Sequence, residues 1–399
     1  MAQIVKRGNA RERDFTAEAQ RSRRDSRRRR NGGEKEKQRE RGRERTSVSL
    51  SFPSSLFLNS LCVTLRDLCA SAVKSSLLLA VWFSCANAQA KLIRYEDSRI
   101  SMACTYSIVA YGDDAQKLKQ AVSEAFDEVD RIDRLMSHYR QDSPLSQLNR
   151  EAAQHPVKTD PELFAFIAEC VRYSRASNGA FDITVGPLMK AWGFFRGEGR
   201  RPSDAELRAV RQKIGWQHLR LNAQAQTIHF DCAGVELDLG GIAKGYAVDR
   251  IVALLKQQGI TQALISAGGS TIFALGAPPE SDAWAIELQD PLDARKIALT
   301  VRLRDQALSV SGSAEKFFEL NGKRYSHIMH PRTGRPVMNV LSVAVLTKTG
   351  TAGDALDNVF YVQGVRETKA WLNRFANTEV IFFLPDKHNH WKSIHLRNQ

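Results

Sequence analysis

Beyond residue 100 the apolar residues change period again and again, and this interleaving constrains the fold more than any other feature. Residues 100–110 alternate every second position, as a strand does. Leu118, Val122, Ala125, Val129, Ile132 and Met136 then recur at spacings of three and four, which predicts an amphipathic helix over 115–138. Asp160-Pro161 opens a second helix as N-cap and first residue, and Asn178-Gly179 closes it. Ser203-Asp-Ala-Glu206 reads as a capping box for a third. Val235–Leu239, a Gly240-Gly241 turn and a helix over 244–258 make a strand-turn-helix unit, with Ala247, Val248, Ile251, Leu254 and Leu255 as the buried stripe. Gly259 ends that helix and Ala263–Ser266 begins another strand. Further strands are expected at 284–288, 299–303, 342–346 and 380–384, and a helix over 354–363 stopped by Gly364. Asn321-Gly322 between 317–320 and 323–328 signals a two-residue hairpin. Elements mixed in this way predict one large α+β domain with mixed sheets and packed helices.

The chain is long enough for such a domain, at 399 residues with 43% hydrophobic content. Its net charge of +14 is concentrated at one end. The first 50 residues hold 17 Lys/Arg against 8 Asp/Glu, leaving only +5 on the other 349. The arginine-rich run resembles a nucleic-acid footprint, but no aromatic residue is interleaved to stack on bases, so a solvated leader with no nucleic-acid partner is expected. Cys62, Cys69 and Cys85 precede the domain; Cys104, Cys170 and Cys232 fall within it at spacings that fit neither a disulfide framework nor a zinc site. Lys74, the apolar stretch 77–83 and the Ala88-Gln-Ala90 exit have the form of a secretory signal, too short to span a bilayer. An ordinary hydrophobic helix is the competing reading. The expected organisation is therefore a basic leader or mis-assigned start over 1–73, a signal over 74–90, and one domain over 91–399.

Several local patterns could carry chemistry. In Asp238-Leu-Gly-Gly-Ile-Ala-Lys-Gly-Tyr246, an acid ends an extended run, two glycines let backbone approach a ligand, and a lysine stands at a helix start. Free N–H groups and the positive helix end suit a phosphate, although glycine turns of this kind also serve packing alone. Ala267-Gly268-Gly269 and Ser309-Val-Ser-Gly312 are further glycine turns after apolar runs. His327 stands near the end of a hairpin strand. On a continuous strand His330 would face the opposite way, which makes the two a poor metal pair. Asp354 and Asn358, four apart on one helix, could offer two oxygens to a hard cation; Thr351-x-x-Asp354 reads equally well as a capping box.

In combination and order these segments resemble one family. Met102-Ala-Cys-Thr105, Met136-Ser-His-Tyr-Arg-Gln-Asp-Ser143 with Leu148-Asn149, Gly179-Ala-Phe-Asp-Ile-Thr-Val-Gly-Pro-Leu188 with Trp192-Gly-Phe194, Asp238 to Tyr246, Ser311-Gly312, His327 to Gly334 and Asp354-Ala-Leu356 are similar to the FAD:protein FMN transferases, the ApbE family. The resemblance covers roughly 100–370. It implies a magnesium-dependent enzyme that moves FMN from FAD to a threonine hydroxyl of a flavoprotein and releases AMP. The implied acceptor is a flavoprotein subunit of a membrane respiratory or redox complex, and the implied location is the periplasm or the outer face of the cytoplasmic membrane, with association to the membrane. By match, Met102, Tyr139, Ala180, Phe181, Asp182, Asp238, Gly241, Lys244, Tyr246 and Ile328 would line the FAD site. Ala243, through its carbonyl, Asp354 and Asn358 would hold the metal, and His327 matches the histidine linked to catalysis.

The chain departs from the family pattern at three places. Asn358 stands where threonine is usual, His330 where aspartate is common, and Ala103 follows Met102 where glycine is usual. Attack by a hydroxyl on the FMN phosphorus requires charge to be neutralised on the phosphate oxygens and a base for the proton. His327 is the expected base, with Asp182 as the second candidate. Two other readings stay open on sequence alone: an FAD pyrophosphatase, in which water replaces the protein hydroxyl, and a secreted flavin-binding protein without turnover.

Overall fold

The computed structural model describes the backbone of residues 2–4, and residues 92–195, 197–314, 316–387 and 390–398. The expected leader and the signal-like segment 74–90 lie outside the described residues, apart from Ala2–Ile4, whose backbone pairs antiparallel with the strand Trp284–Gln289. No helix among the described residues is long and apolar enough to cross a membrane.

Eight strands form the central sheet: β1 (Ile93–Ser101), β2 (Cys104–Gly112), β3 (Gln262–Ala267), β4 (Thr271–Leu275), β5 (Gln306–Gly312), β6 (Ser342–Thr347), β7 (Glu379–Pro385) and β8 (Trp391–Arg397). Their order across the sheet is their order in the chain, and every ladder is antiparallel. The α+β class therefore holds, with the only parallel pairing among the described residues an isolated bridge between Val185 and Glu236. The alternating segment expected at 100–110 is the turn and second arm of a hairpin. Met102 and Ala103 adopt φ of 48° and 60°, which reverses the chain between β1 and β2. β8 has no counterpart among the expected elements.

Alternate residues of the inner strands go to opposite faces, so both faces are apolar. Ile108, Ile265, Phe273, Val343 and Phe382 meet the helices. Val109, Leu264, Ile272, Leu308 and Phe383 meet the smaller sheet formed by Trp284–Gln289 and Ile297–Leu303. The helices are α1 (Ala115–Met136), α2 (Pro144–Glu151), α3 (Pro161–Ala176), α4 (Gly186–Ala191), α5 (Asp204–Arg211), α6 (Ala243–Gln257) and α7 (Gly350–Trp371). The expected caps are in place: the Asp160 side chain accepts from the first turn of α3, and Ser203 with Glu206 closes a capping box on α5. A third cluster, Leu188, Trp192, Leu207, Tyr325 and Met329, joins α4 and α5 to the hairpin Phe317–Leu320/Lys323–Ser326.

Two expected elements differ. Val235–Leu239 is extended, but only Glu236 forms a bridge. Leu237 is paired by a side chain instead: the Asn149 amide accepts from its N–H at 2.8 Å and donates to its carbonyl at 3.0 Å, while Asp238 N–H donates to the Ile183 carbonyl at 2.7 Å. Helix α7 begins at Gly350, earlier than expected, with Thr349 as N-cap, so Thr351 is inside the helix and the Thr351/Asp354 capping box does not form. Gly364, at φ 69°, is non-helical and stops the first helical segment of α7 as expected; a second segment follows it to Trp371.

Candidate active site

Helices α6 and α7 cross at their N-terminal ends, and this crossing builds the site. A Cβ on Gly245 would lie 2.1 Å from the Gly350 carbonyl oxygen, so the two backbones are in direct contact. Asp249, one turn further along α6, fixes the start of α7: it accepts from Gly350 N–H at 2.6 Å, Thr351 N–H at 2.8 Å and the Thr351 hydroxyl at 2.6 Å. Asp354 then comes to rest beside the first turn of α6.

Asp354 is 3% exposed. Its Oδ2 accepts from Gly245 N–H at 2.7 Å, and its Oδ1 from the Ser309 hydroxyl at 3.2 Å and from the Thr271 hydroxyl. Burial pushes the carboxyl up, against the Lys244 charge and these donors. Lys244 donates to the Ser270 hydroxyl in the β3–β4 turn, and its charge also acts on Cys104 and His327. Lys316 acts on the same two groups. Lys244, Lys316, Asp354 and His327 thus share one locality, assembled from α6, α7, the sheet ends and the segment following the Asn321-Gly322 hairpin.

His327 is partly buried, and its Nδ1 lies 3.0 Å from the Lys316 carbonyl oxygen. A carbonyl can only accept, so Nδ1 carries the proton and Nε2 keeps its lone pair. Burial pushes the imidazole down to about 4, so the ring is neutral at physiological pH. The expected opposition of His327 and His330 on one strand is corrected: the strand ends at Ser326, and His330 belongs to a separate two-residue strand, Met329–His330. The ring of His330 turns toward its own loop, where Nδ1 accepts from Arg332 N–H at 3.3 Å.

The Gly240-Gly241 turn links this locality to an aromatic group. Asp238 accepts from Gly240 N–H at 2.8 Å, and its Oδ1 lies 3.4 Å from His138 Nδ1. His138 packs on Tyr139 at 4.0 Å, and Tyr139 stacks on Phe195 at 5.0 Å, leaving Tyr139 57% exposed. Phe181 and Ala180 are buried, with the Phe181 ring beneath Gly241. Met102, whose sulfur accepts from the Tyr106 hydroxyl at 3.2 Å, sits in the β1–β2 turn next to Cys104.

Other expected site residues are directed elsewhere. The Tyr246 hydroxyl donates to Glu162 at 2.7 Å and its ring packs on Phe166, so its side chain faces α3. Asp182 is buried with both oxygens engaged: Oδ1 by Thr184 N–H at 3.0 Å and its hydroxyl at 2.7 Å, Oδ2 by Trp216 N–H at 2.9 Å. That is a structural hub, and it leaves the carboxylate poorly placed to act as a base. Ile328 is buried, and its carbonyl accepts from Val337 N–H at 3.0 Å, so side chain and carbonyl both serve packing.

A cation at this crossing would rely on one carboxylate with amide and main-chain oxygens, because no three His, Cys, Asp or Glu side chains converge among the described residues. Asp354 Oδ2 has a single N–H donor and so retains a lone pair, and Ala243 opens α6 beside it. Asn358 Nδ2 has three acceptors within reach of its two N–H groups, Gly241 O at 3.2 Å, Asp354 O at 2.9 Å and Asp357 Oδ1 at 2.9 Å. Turning its amide over would present the oxygen. All these are hard donors that fit magnesium.

Residues 102–382 match the model of the ApbE family. The chain is 34% identical over 288 residues to the FAD:protein FMN transferase of Treponema pallidum, covering 68% of this chain and 79% of that one. It is 30% identical over 282 residues to the enzyme of the same name from Salmonella typhimurium, covering 69% and 80%. The structure superposes on the flavin transferase ApbE from Vibrio cholerae with a TM-score of 0.68 and 30% identity, over 76% of this chain and 97% of that one.

Proposed function

Because this chain belongs to the ApbE family, we propose that it is an FAD:protein FMN transferase, moving FMN from FAD to a hydroxyl of an acceptor protein. The observation that carries the reading is the geometry of His327, whose Nδ1 donates to the Lys316 carbonyl at 3.0 Å and leaves Nε2 as the ring's acceptor, with Lys244 and Lys316 as the charges that act on it. The lysines are suited to the negative oxygens of a pyrophosphate, and the histidine to a proton.

In the proposed step the acceptor hydroxyl oxygen bonds to the FMN phosphorus. The bond from that phosphorus to the bridging oxygen breaks, and AMP leaves with it. The hydroxyl proton passes to His327 Nε2. Lys244, anchored on Ser270, holds phosphate charge near the α6 N-terminus, and Tyr139 offers an exposed ring face for a base or flavin. Magnesium bound by Asp354, the Ala243 carbonyl and the turned Asn358 amide would neutralise phosphate charge.

The acceptor is proposed to carry a threonine and to belong to a membrane redox complex. The protein is proposed to act outside the cytoplasm, a reading supported by the signal-like pattern over 74–90. N-terminal sequencing from the native host tests the location: an intact residue 1–90 segment on a cytosolic protein sinks it. Mass spectrometry of a purified threonine-bearing flavoprotein incubated with the enzyme, FAD and magnesium tests the reaction. An FMN-sized gain supports the transferase; free FMN and AMP with an unmodified acceptor select a pyrophosphatase; unchanged FAD selects a binding protein.

A further inference from the structure

A cleft of about 590 Å³ opens between α5, the Asn178-Gly179 turn and the Pro331-Arg332 turn. Arg208 and Arg211 line it from α5, and Arg332 from the turn after Pro331. All three are exposed, and among the described residues none has an ion-pair partner. The acids nearest in sequence are already engaged: Asp204 by Arg335 at 2.6 Å and Glu206 by Arg200 at 3.0 Å. The one carboxylate lining the cleft is Asp182, whose oxygens are taken by Thr184 and Trp216. Three arginines thus line one trough in which the only carboxylate, Asp182, is already engaged.

Their positions are built. The stem of Arg211 lies over the turn at Gly334, 3.3 Å from where a Cβ would stand, and the Gly334 carbonyl accepts from Trp192 Nε1–H at 2.8 Å. The Arg211 stem ties the turn to α5, and the Trp192 hydrogen bond ties it to the end of α4. The trough also lies on the segment that carries His327. Arg332 is five positions after His327, a span of no more than about 18 Å of extended chain.

We propose that this arginine cleft docks an acidic segment of the acceptor protein, within about five residues of the hydroxyl that receives FMN. The proposal rests on the transferase reading. FAD is the weaker candidate, because Lys244, Lys316, Asp354 and the Tyr139 face lie outside this cleft, and Asp182, the one expected FAD-site residue that lines it, has both oxygens engaged by Thr184 and Trp216. Guanidinium groups match carboxylates in paired, planar geometry, and an unopposed positive trough steers an acidic partner and fixes its register.

The test uses the full chain and two fluorescein-labelled peptides with a central threonine, one flanked by aspartates and one by asparagines. Binding is read by anisotropy, alongside FAD affinity by flavin fluorescence. The double variant Arg208→Gln/Arg211→Gln keeps the aliphatic stems and so the packing over Gly334. The aspartate peptide should bind the native chain at least about tenfold more tightly than its asparagine counterpart at low salt, and lose that advantage in the variant and at high salt. FAD affinity should not change. Equal binding of the two peptides, an unchanged advantage in the variant, or an FAD affinity that falls with the arginines overturns the proposal; the last assigns the cleft to the dinucleotide. Arginine-dependent peptide binding together with FAD hydrolysis and no FMN transfer to any acceptor would instead remove the transferase reading and leave the cleft as an acidic-peptide site.

Discussion

Gly245 on α6 and Gly350 on α7 meet backbone to backbone, and this contact sets the distance from Asp354 to the first turn of α6. Any side chain at 245 must push the helices apart. Overpacking of this kind costs about 1–3 kcal/mol. Gly245→Ala should lower the thermal midpoint and weaken magnesium-induced stabilisation, because Asp354 moves with α7. A variant matching the native chain in both thermal melts would show that the crossing does not position Asp354.

His327 yields a pH prediction. Burial depresses its folded-state value to about 4 from an ordinary 6.5, so the proton binds more readily when the chain is unfolded. Its contribution to stability is therefore fully present above about pH 6.5 and lost as pH falls toward about 4. The same shift keeps Nε2 unprotonated across neutral pH. Single-turnover transfer should stay flat from neutral pH down to the low-fives and fall on a limb near 4. A limb near 6.5 would mean that the ring is not held as described. His327→Ala should lose about 10²–10⁴ in turnover with little change in FAD affinity. Loss of FAD binding together with rate would make His327 a binding residue.

Local signals carried most of the elements. The spacing over α1, the Asp160 and Ser203 caps, and the Asn321-Gly322 hairpin are each decided by neighbours within a few residues. Lys244 and Asp354 stand out as candidate site residues through the family pattern. The partners that hold them do not. Asp249 is tied to Gly350, 101 residues away, and Asp354 to Thr271 and Gly245, and nothing in a helix pattern says which remote chain will pass. Asp182 and Tyr246 show the same limit in reverse. Their motifs are in the sequence, but the direction of each side chain depends on Thr184, Trp216 and Glu162.

Asn149 tests one of those long connections. Its amide takes the place of a neighbouring strand for Leu237, next to Asp238. Asn149→Ala would leave a partly buried N–H and C=O without partners, at about 1–3 kcal/mol for an unsatisfied group. Lower stability and weaker FAD binding should appear together, the second because the Asp238–Gly241 segment loses its anchor. Unchanged FAD affinity in a clearly destabilised Asn149→Ala chain would separate that anchor from the flavin site.

The metal prediction concerns Asp354 and Asn358, and the structure decides which variants can test it. Asp354→Ala would strand the Thr271 and Ser309 hydroxyls and the Gly245 N–H in a buried place, so lost activity there could be simple misfolding. Asp354→Asn keeps the volume and one acceptor oxygen while removing the charge that a divalent cation needs. Ligand binding to the folded chain raises its stability by about 2.7 kcal/mol at a hundredfold excess over the dissociation constant. The native thermal midpoint should therefore rise by a few degrees in saturating magnesium and fall back with a chelator, in the absence of FAD. Asp354→Asn should show no such rise. Asn358→Thr should keep it, because a threonine hydroxyl presents oxygen without turning an amide away from Gly241 O. A rise in Asp354→Asn equal to the native one would place the cation elsewhere, whatever happens to activity.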